Sequence, residues 1–65
     1  MLKINLRCLL ADRNMTQAEL AEQTGIRPST ICDMYNNTCS FLKIENIDKI
    51  CSVLECNIQE LILLL

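Results

Sequence analysis

Residues 16 to 36 constrain the fold more than any other stretch, because local signals mark the ends of two short helices joined by a tight turn. Thr16, with Glu19 three residues later, makes a capping box at a helix start. Gly25 stands where a helix usually ends in a left-handed residue. Pro28 suits the first turn of the next helix, where its missing N–H costs nothing. The predicted helices span about 17–24 and 28–36.

The spacing of apolar and small residues indicates how these two helices cross. Ala21 is small at a point where two helices must approach closely, and Gly25 follows four residues later. Ile31 and Met34 then supply apolar anchors on one side of the second helix. A small residue, a turn glycine and two anchors at these offsets are typical of a helix-turn-helix, in which two helices cross steeply over a short turn.

This pattern resembles the lambda-repressor/Cro-like (XRE) family of DNA-binding domains. The resemblance is carried by Gln17-Ala18-Glu19-Leu20-Ala21, Gly25-Ile26, Tyr35-Asn36-Asn37 and the C-terminal residues Leu54, Cys56, Ile58 and Leu61. It covers nearly the whole chain. It implies an all-α, five-helix domain with the helix-turn-helix at helices 2 and 3, and sequence-specific DNA binding as the function.

The remaining helices are predicted from apolar periodicity over a single domain of residues 1–65. Leu6, Leu9 and Leu10 recur at helical spacing, and Asn14 can adopt the left-handed C-terminal position. Asn57 with Glu60 makes a second capping box before the last helix. Strand signals are almost absent. The five predicted helices are residues 3–13, 17–24, 28–36, 44–54 and 58–63.

The composition limits the functions that the chain can perform. The 65 residues carry a net charge of −2 and no histidine. No glycine-rich phosphate loop or paired catalytic acids are present, and so short a chain struggles to enclose a substrate pocket. We therefore expect neither an enzyme nor a cofactor or small-molecule substrate. No basic face can be identified, which predicts weak non-specific affinity for DNA.

The five cysteines are interpreted as reduced structural or incidental thiols. Their spacing, without histidine, does not match a zinc site, so no metal is expected. Cys8 and Cys51 lie near apolar stripes and are predicted to be small core residues. No signal peptide or span of membrane length is visible, which predicts a cytoplasmic protein with no membrane partner.

The outward face of the third helix supplies the candidate base contacts. With Ile31 turned to the core at 100° per residue, the opposite face holds Ser29, Cys32, Asp33 and Asn36. By the family resemblance, the base-edge positions are Pro28, Ser29 and Asp33. Serine can donate or accept, aspartate favours the cytosine amino group, and proline offers only apolar contact. None of these residues gives a bidentate contact to guanine or adenine.

Candidate phosphate contacts lie at helix ends and in the loop after the third helix. Gln17 opens the second helix, where backbone N–H groups favour an anion. Four alternatives remain open: Gln17 is merely solvated, Asn36-Asn37 is purely a turn, Asp33 is an ordinary surface acid, or Arg27 pairs with a nearby carboxylate such as Asp33. The full set is Gln17, Arg27, Thr30, Asn36, Asn37, Thr38, Ser40 and Lys43.

The C-terminal leucines suggest a partner surface, because they cannot all point inward from one short helix. The predicted dimer interface is Leu61, Leu63, Leu64 and Leu65. The leading interpretation is a transcriptional regulator, expected to act as a repressor, that binds double-stranded DNA as a homodimer on a palindromic operator with half-sites about 34 Å apart. The alternative is a protein–protein interaction module on a helix-turn-helix scaffold with weak or no DNA binding.

Overall fold

The computed structural model describes residues 1–65 and contains five helices and two short strands. The elements in chain order are β1 (Leu2–Ile4), α1 (Leu6–Asp12), α2 (Gln17–Thr24), α3 (Pro28–Asn36), α4 (Ile44–Leu54), α5 (Ile58–Leu61) and β2 (Ile62–Leu64). The five-helix architecture with a helix-turn-helix at α2 and α3 is confirmed. None of the helices combines the length and the apolar character that crossing a membrane requires.

The helix ends form where the sequence signals predict them. The Thr16 hydroxyl accepts a hydrogen bond from the Glu19 N–H at 3.1 Å, and the Glu19 carboxylate accepts one from the Thr16 N–H at 3.0 Å. Left-handed backbone follows at Asn14 (φ 52°), Gly25 (φ 74°) and Asn37 (φ 59°). The capping box and these turns are confirmed, because each depends only on residues close in the chain.

The two terminal helices are shorter than predicted. The first begins at Leu6 rather than at residue 3, and the last ends at Leu61 rather than at residue 63. The residues outside them pair as an antiparallel two-stranded sheet, with Leu2 opposite Leu64 and Ile4 opposite Ile62. A short apolar run does not distinguish helix from strand by its pattern alone. The pairing of the two chain ends decides the conformation here.

The core lies between the helices and the inner end of this sheet. It is aliphatic and comprises Ile4, Leu6, Leu9, Leu10, Leu20, Ala21, Ile26, Ile31, Met34, Ile50, Leu54 and Leu61. The helix-turn-helix therefore shares one core with the terminal sheet, and each fixes the position of the other. Burial of such side chains at about 1.5–3 kcal/mol each is the main stabilising contribution.

One of the two cysteines predicted to lie in the core is exposed. Cys8 is exposed, because α1 begins at Leu6 and the second residue after Leu6 is turned about 200° from it. The prediction that Cys8 is buried is therefore wrong. Cys51 is half-buried against the core, as its position on α4 indicates. In the loop before α4, Phe41 is 75% exposed and Leu42 packs against the core.

Candidate nucleic-acid interface

The crossing of α2 and α3 is held by one buried polar side chain. Thr24 is the only buried polar residue, and its hydroxyl donates to the Leu20 carbonyl at 2.7 Å. The same hydroxyl accepts a hydrogen bond from the Ile26 N–H at 3.2 Å. The Thr24 hydroxyl therefore links the last turn of α2 to Ile26, which lies in the turn before α3. The hydroxyl thus satisfies a backbone group that the tight turn would otherwise bury without a partner.

Helix α3 is anchored on one side and free on the other. Ile31 and Met34 are buried, while Pro28, Ser29 and Asp33 are exposed. Cys32 and Asn36 are exposed as well, so the outward face has the composition that the 100° rotation predicts. The candidate base contacts therefore lie on the exposed surface of α3, with Pro28 and Ser29 at its N-terminus and Asp33 one turn further on. This is the part of a recognition helix that reads base edges.

A polar hollow of about 530 Å³ runs along one flank of α3. It brings together six of the predicted site residues, although they come from α3, the following loop and the start of α4. Those six are Arg27, Thr30, Asp33, Thr38, Ser40 and Lys43. Asn46 also lines it and was missed, because nothing in the sequence of α4 distinguishes it from an ordinary helix residue. Only the tertiary structure shows that Asn46 lies on the side of α4 that faces this hollow.

The two cations of this hollow are available for an anion. Arg27 and Lys43 are exposed, and the only ion pair in the domain joins Lys49 to Glu45 at 3.0 Å. The alternative that Arg27 pairs with Asp33 is therefore wrong. The Asp33 carboxylate instead accepts a hydrogen bond from the Thr38 hydroxyl at 3.2 Å. That bond ties the loop to α3.

A second hollow of about 340 Å³ lies where α1 meets the start of α2, and it includes Arg7, Gln17 and Tyr35. The Arg7 guanidinium lies 4.5 Å from the centroid of the Tyr35 ring. It also donates to the Asn36 side-chain oxygen at 3.2 Å. Cation–π contact and this hydrogen bond orient a positive charge beside the N-terminus of α2. Sequence analysis missed Arg7, because the cluster joins residues from three separate helices.

The Asn37 side chain makes hydrogen bonds within the domain, although the residue lies at the surface. Its side-chain oxygen accepts from the Ile4 N–H at 2.7 Å, and its side-chain nitrogen donates to the Ile4 carbonyl at 3.0 Å. Both ends of the amide are therefore occupied by β1. The alternative of a structural turn therefore fits Asn37, and contact of its side chain with phosphate stays a prediction. Asn36 and Asn37 are both exposed.

The predicted dimer residues fall into two groups. Leu61 is fully buried in the core of its own domain, so its assignment to a dimer interface is wrong. The helix that carries it is a single turn, and Leu61 is its only buried residue. Leu63 is half-buried, and Leu64 and Leu65 are exposed. These three leucines are therefore the ones that remain available for a partner.

Comparison with known proteins now decides the family. A sequence profile of the Cro/C1-type HTH DNA-binding domain matches residues 5–64. The chain belongs to this family. The match extends from the start of α1 to the end of β2, so all five helices of the Cro/C1-type domain lie within it. Members of this family are DNA-binding transcriptional regulators, and double-stranded DNA is their partner.

Individual relatives agree with this assignment. The Cro/C1-type domain is 32% identical over 53 residues to YozG, an uncharacterised HTH-type transcriptional regulator of Bacillus subtilis (strain 168). That match covers 82% of this chain and 63% of YozG, so the chain spans less than two thirds of that relative.

Two solved structures share the fold. One is the crystal structure of a candidate DNA-binding protein from Bacteroides fragilis, with a TM-score of 0.85, 27% identity, and coverage of 97% of this chain and 100% of that one. The other is the crystal structure of the transcriptional regulator VanUg, with a TM-score of 0.81, 31% identity, and coverage of 98% and 84%.

Proposed function

We propose that this Cro/C1-type domain binds a palindromic DNA operator as a homodimer and represses transcription by occupying a promoter. Helix α3 enters the major groove and presents Pro28, Ser29 and Asp33 to base edges. The observation that supports this most strongly is the placement of cations on both flanks of α3. Phosphates border the major groove on both sides, so a helix that reads bases needs positive groups on each flank.

The two flanks can be located around the axis of α3. At 100° per residue, Thr30 and Asp33 lie on one side of the exposed face and Tyr35 lies on the other. The first side carries the hollow with Arg27 and Lys43. The second side carries the hollow with Arg7.

Arg7 extends the set of proposed phosphate contacts. It lies beside Gln17, the first residue of α2, where the helix dipole and backbone N–H groups already favour an anion. A guanidinium can make two hydrogen bonds to one phosphate, while Tyr35 and Asn36 hold its orientation. Gln17 and Arg7 then bind the same phosphate.

Base readout is modest in this proposal. Ser29 discriminates little, and Asp33 shares its carboxylate with the Thr38 hydroxyl. Asp33 prefers a cytosine amino group and disfavours a nearby phosphate. Specificity therefore depends on DNA shape and on the spacing of two half-sites as well as on direct contacts. Each correct base contact is worth about 1–3 kcal/mol.

The experiment is selection of sites from a random duplex library at low and at physiological salt. A palindromic consensus at both salts is the expected result. Arg7, Arg27 and Lys43 in each protomer of a dimer give a slope of log K against log[salt] of about −5. Enrichment without a consensus, or none at all, would contradict the proposal.

A matched pair of lysine variants tests the flank contacts. Lys43→Ala removes a cation from the first hollow, whereas Lys49→Ala removes one that is paired with Glu45 outside it. The first change is expected to weaken DNA binding and reduce the salt slope by about 2 in the dimer. The second leaves both nearly unchanged. Gln17→Ala and Arg27→Ala should also weaken binding while the protein stays folded.

A second function is favoured by one observation. An apolar hollow of about 610 Å³ lies beside the terminal sheet, and its lining includes Leu2, Phe41 and Leu65. With a net charge of −2, such a surface also fits a protein-interaction module. A lack of DNA binding at low salt, together with a stable complex with another protein, would decide for this alternative.

A further inference from the structure

The turn between α4 and α5 carries a cysteine on each side of it. Helix α4 ends at Leu54, and Glu55 then adopts left-handed backbone with φ 52° and ψ 48°. The Cys51 carbonyl accepts hydrogen bonds from the N–H groups of Glu55 and Cys56, the second at 3.1 Å. A bond from the second residue past the helix end to this carbonyl closes a Schellman turn, in which the side chains of the two bonded residues commonly contact each other. In this turn those side chains are the Cys51 and Cys56 thiols.

Neighbouring elements hold the backbone of this turn in place. The Arg13 Nε donates to the Leu54 carbonyl at 2.7 Å, which ties the turn to the end of α1. On the other side, Asn57 and Glu60 form the capping box that begins α5. Glutamate resists the left-handed backbone that glycine adopts freely, so these contacts help to keep Glu55 in that conformation. The tertiary structure therefore holds the two thiols together.

The two thiols share one half-buried environment. Both pack against the aliphatic core and neither is fully covered, so a small solute can reach them. Burial first, and then the Cys56 thiol beside it, raise the pKa of the Cys51 thiol to about 11. The thiolate is the reactive form of cysteine, so chemistry at this pair near neutral pH begins at Cys56. The other three cysteines belong to separate elements: Cys8 to α1, Cys32 to α3 and Cys39 to the loop before α4.

We propose that Cys51 and Cys56 form a reversible oxidation site, at which a hydroperoxide converts the two thiols into a disulfide across the α4–α5 turn. A half-buried pair beside an aliphatic core admits a small oxidant of this kind. A low-molecular-weight thiol restores the reduced pair. This inference concerns a chemical modification of the domain and does not depend on DNA binding.

The oxidation proceeds in two balanced steps. The Cys56 thiolate attacks the terminal oxygen of the hydroperoxide, the O–O bond breaks, and the alkoxide leaves and takes up a proton as the alcohol, or as water from hydrogen peroxide. Cys56 is then a sulfenic acid. The Cys51 sulfur attacks the Cys56 sulfur, the S–O bond breaks, and the hydroxide leaves with the Cys51 proton as water. Two electrons pass from the thiols to the peroxide.

Reduction reverses the change by thiol–disulfide exchange. Two thiols of a reductant such as glutathione become one disulfide, and both protein thiols are regenerated. In the oxidised form, the covalent bond holds Glu55 in its left-handed conformation and fixes the start of α5 against the end of α4. Helix α5 carries Leu61 into the core and leads directly into β2. Oxidation therefore stabilises the terminal region, and the folded state in turn makes the disulfide harder to reduce.

Peptide mapping isolates this pair from the other cysteines. Lys49 is the last lysine or arginine of the chain, so trypsin releases residues 50–65 as one peptide that contains Cys51, Cys56 and no other cysteine. The full chain is treated with hydrogen peroxide, alkylated with iodoacetamide and digested. The expected product is this peptide without alkylation and about 2 Da lighter than its dithiol form. A peptide that keeps both alkylatable thiols, or that carries only sulfinic acid, would overturn the proposal.

A redox titration tests whether the fold holds the two thiols together. The effective concentration of the pair in glutathione buffers is compared between the folded protein and the protein in concentrated urea, with the same peptide as the readout. The folded value is expected to be at least about tenfold higher, because the turn keeps the thiols in contact. Equal values, or mixed disulfides with glutathione in place of the internal disulfide, would contradict the proposal.

Single serine variants assign the two roles. Cys51→Ser removes the second thiol, so the Cys56 sulfenic acid should persist and react with dimedone. Cys56→Ser removes the attacking thiol, so Cys51 should stay reduced at the same peroxide concentration. Cys8→Ser changes an exposed cysteine on another helix and is the matched control, which should form the disulfide like the unmodified protein. Far-UV circular dichroism confirms that each variant is folded. Oxidation of Cys51 at an unchanged rate in Cys56→Ser would show that the two thiols do not act as a pair.

Discussion

The helix-turn-helix and the terminal sheet are built in opposite ways. Every signal that makes the former lies within residues 16–36: a capping box, a left-handed glycine and a proline at a helix start. The latter joins the two ends of the chain, and its residues carry no comparable local signal. The contrast shows that local capping chemistry determines the helix-turn-helix, while the terminal sheet depends on which distant residues meet.

The largest expected effect comes from a buried residue that links the two regions. Leu61→Ala should lower the free energy of unfolding by about 2–5 kcal/mol, because Leu61 is fully buried between α5 and the core. Leu64→Ala, at an exposed position three residues later, should change it by less than about 0.5 kcal/mol in the monomer. Urea denaturation at micromolar concentration measures both. A small effect of Leu61→Ala would mean that the terminal region is not part of the common core.

A smaller effect is expected within the helix-turn-helix. Thr24→Val should cost about 1–3 kcal/mol, since it leaves the Ile26 N–H without its hydrogen bond at the corner. Thr24→Ser keeps the hydroxyl and is the control, with most of the stability retained. Thermal unfolding followed by circular dichroism gives both values. Equal stability of the two variants would show that the hydroxyl does not hold this turn.

Asn37 tests the link between α3 and β1. Asn37→Gly keeps the left-handed backbone but loses both hydrogen bonds to Ile4, and should cost about 1–2 kcal/mol. Asn37→Ala should cost about 1 kcal/mol more, because alanine resists a positive φ. Amide exchange at Ile4, followed by NMR, should accelerate in both variants. Unchanged exchange would show that the amide does not close the outer edge of β1.

The smallest effect concerns a thiol on α4, the helix that precedes the terminal region. Burial, followed by the nearby Cys56 thiol, raises the pKa of the Cys51 thiol to about 11. Alkylation of Cys51 should therefore keep accelerating up to about pH 11. In urea-unfolded protein it should level off near the ordinary cysteine pKa of about 8.5. Mass spectrometry of the alkylated peptide measures both profiles.

The sign of the stability change follows from the same shift. The folded state favours the neutral thiol, so the contribution of Cys51 to stability is present below pH about 8.5 and is lost as the pH rises towards 11. Coincident alkylation profiles in folded and unfolded protein would contradict the burial of this thiol.

As with the fold, one part of the candidate site follows from the local sequence and another part depends on the tertiary structure. The exposed face of α3 could be predicted from helical rotation alone, because Ile31 and Met34 determine which side is buried. The two hollows beside α3 could not, since one joins Arg27 to Lys43 and the other joins Arg7 to Gln17. These residues are far apart in the chain, and no periodic pattern relates them.

By itself, the sequence determined that five helices form, where the capping box and turn of the helix-turn-helix lie, and which face of α3 is buried. Hydrogen bonds and apolar spacing within a few residues decide those features. Tertiary structure alone decided that the chain ends pair as strands, that Leu61 is a core residue and that Asn37 closes one edge of the sheet. An apolar run such as Ile62-Leu63-Leu64 is compatible with helix or strand until another segment supplies backbone partners. In this domain, the residues next to Met1 supply them.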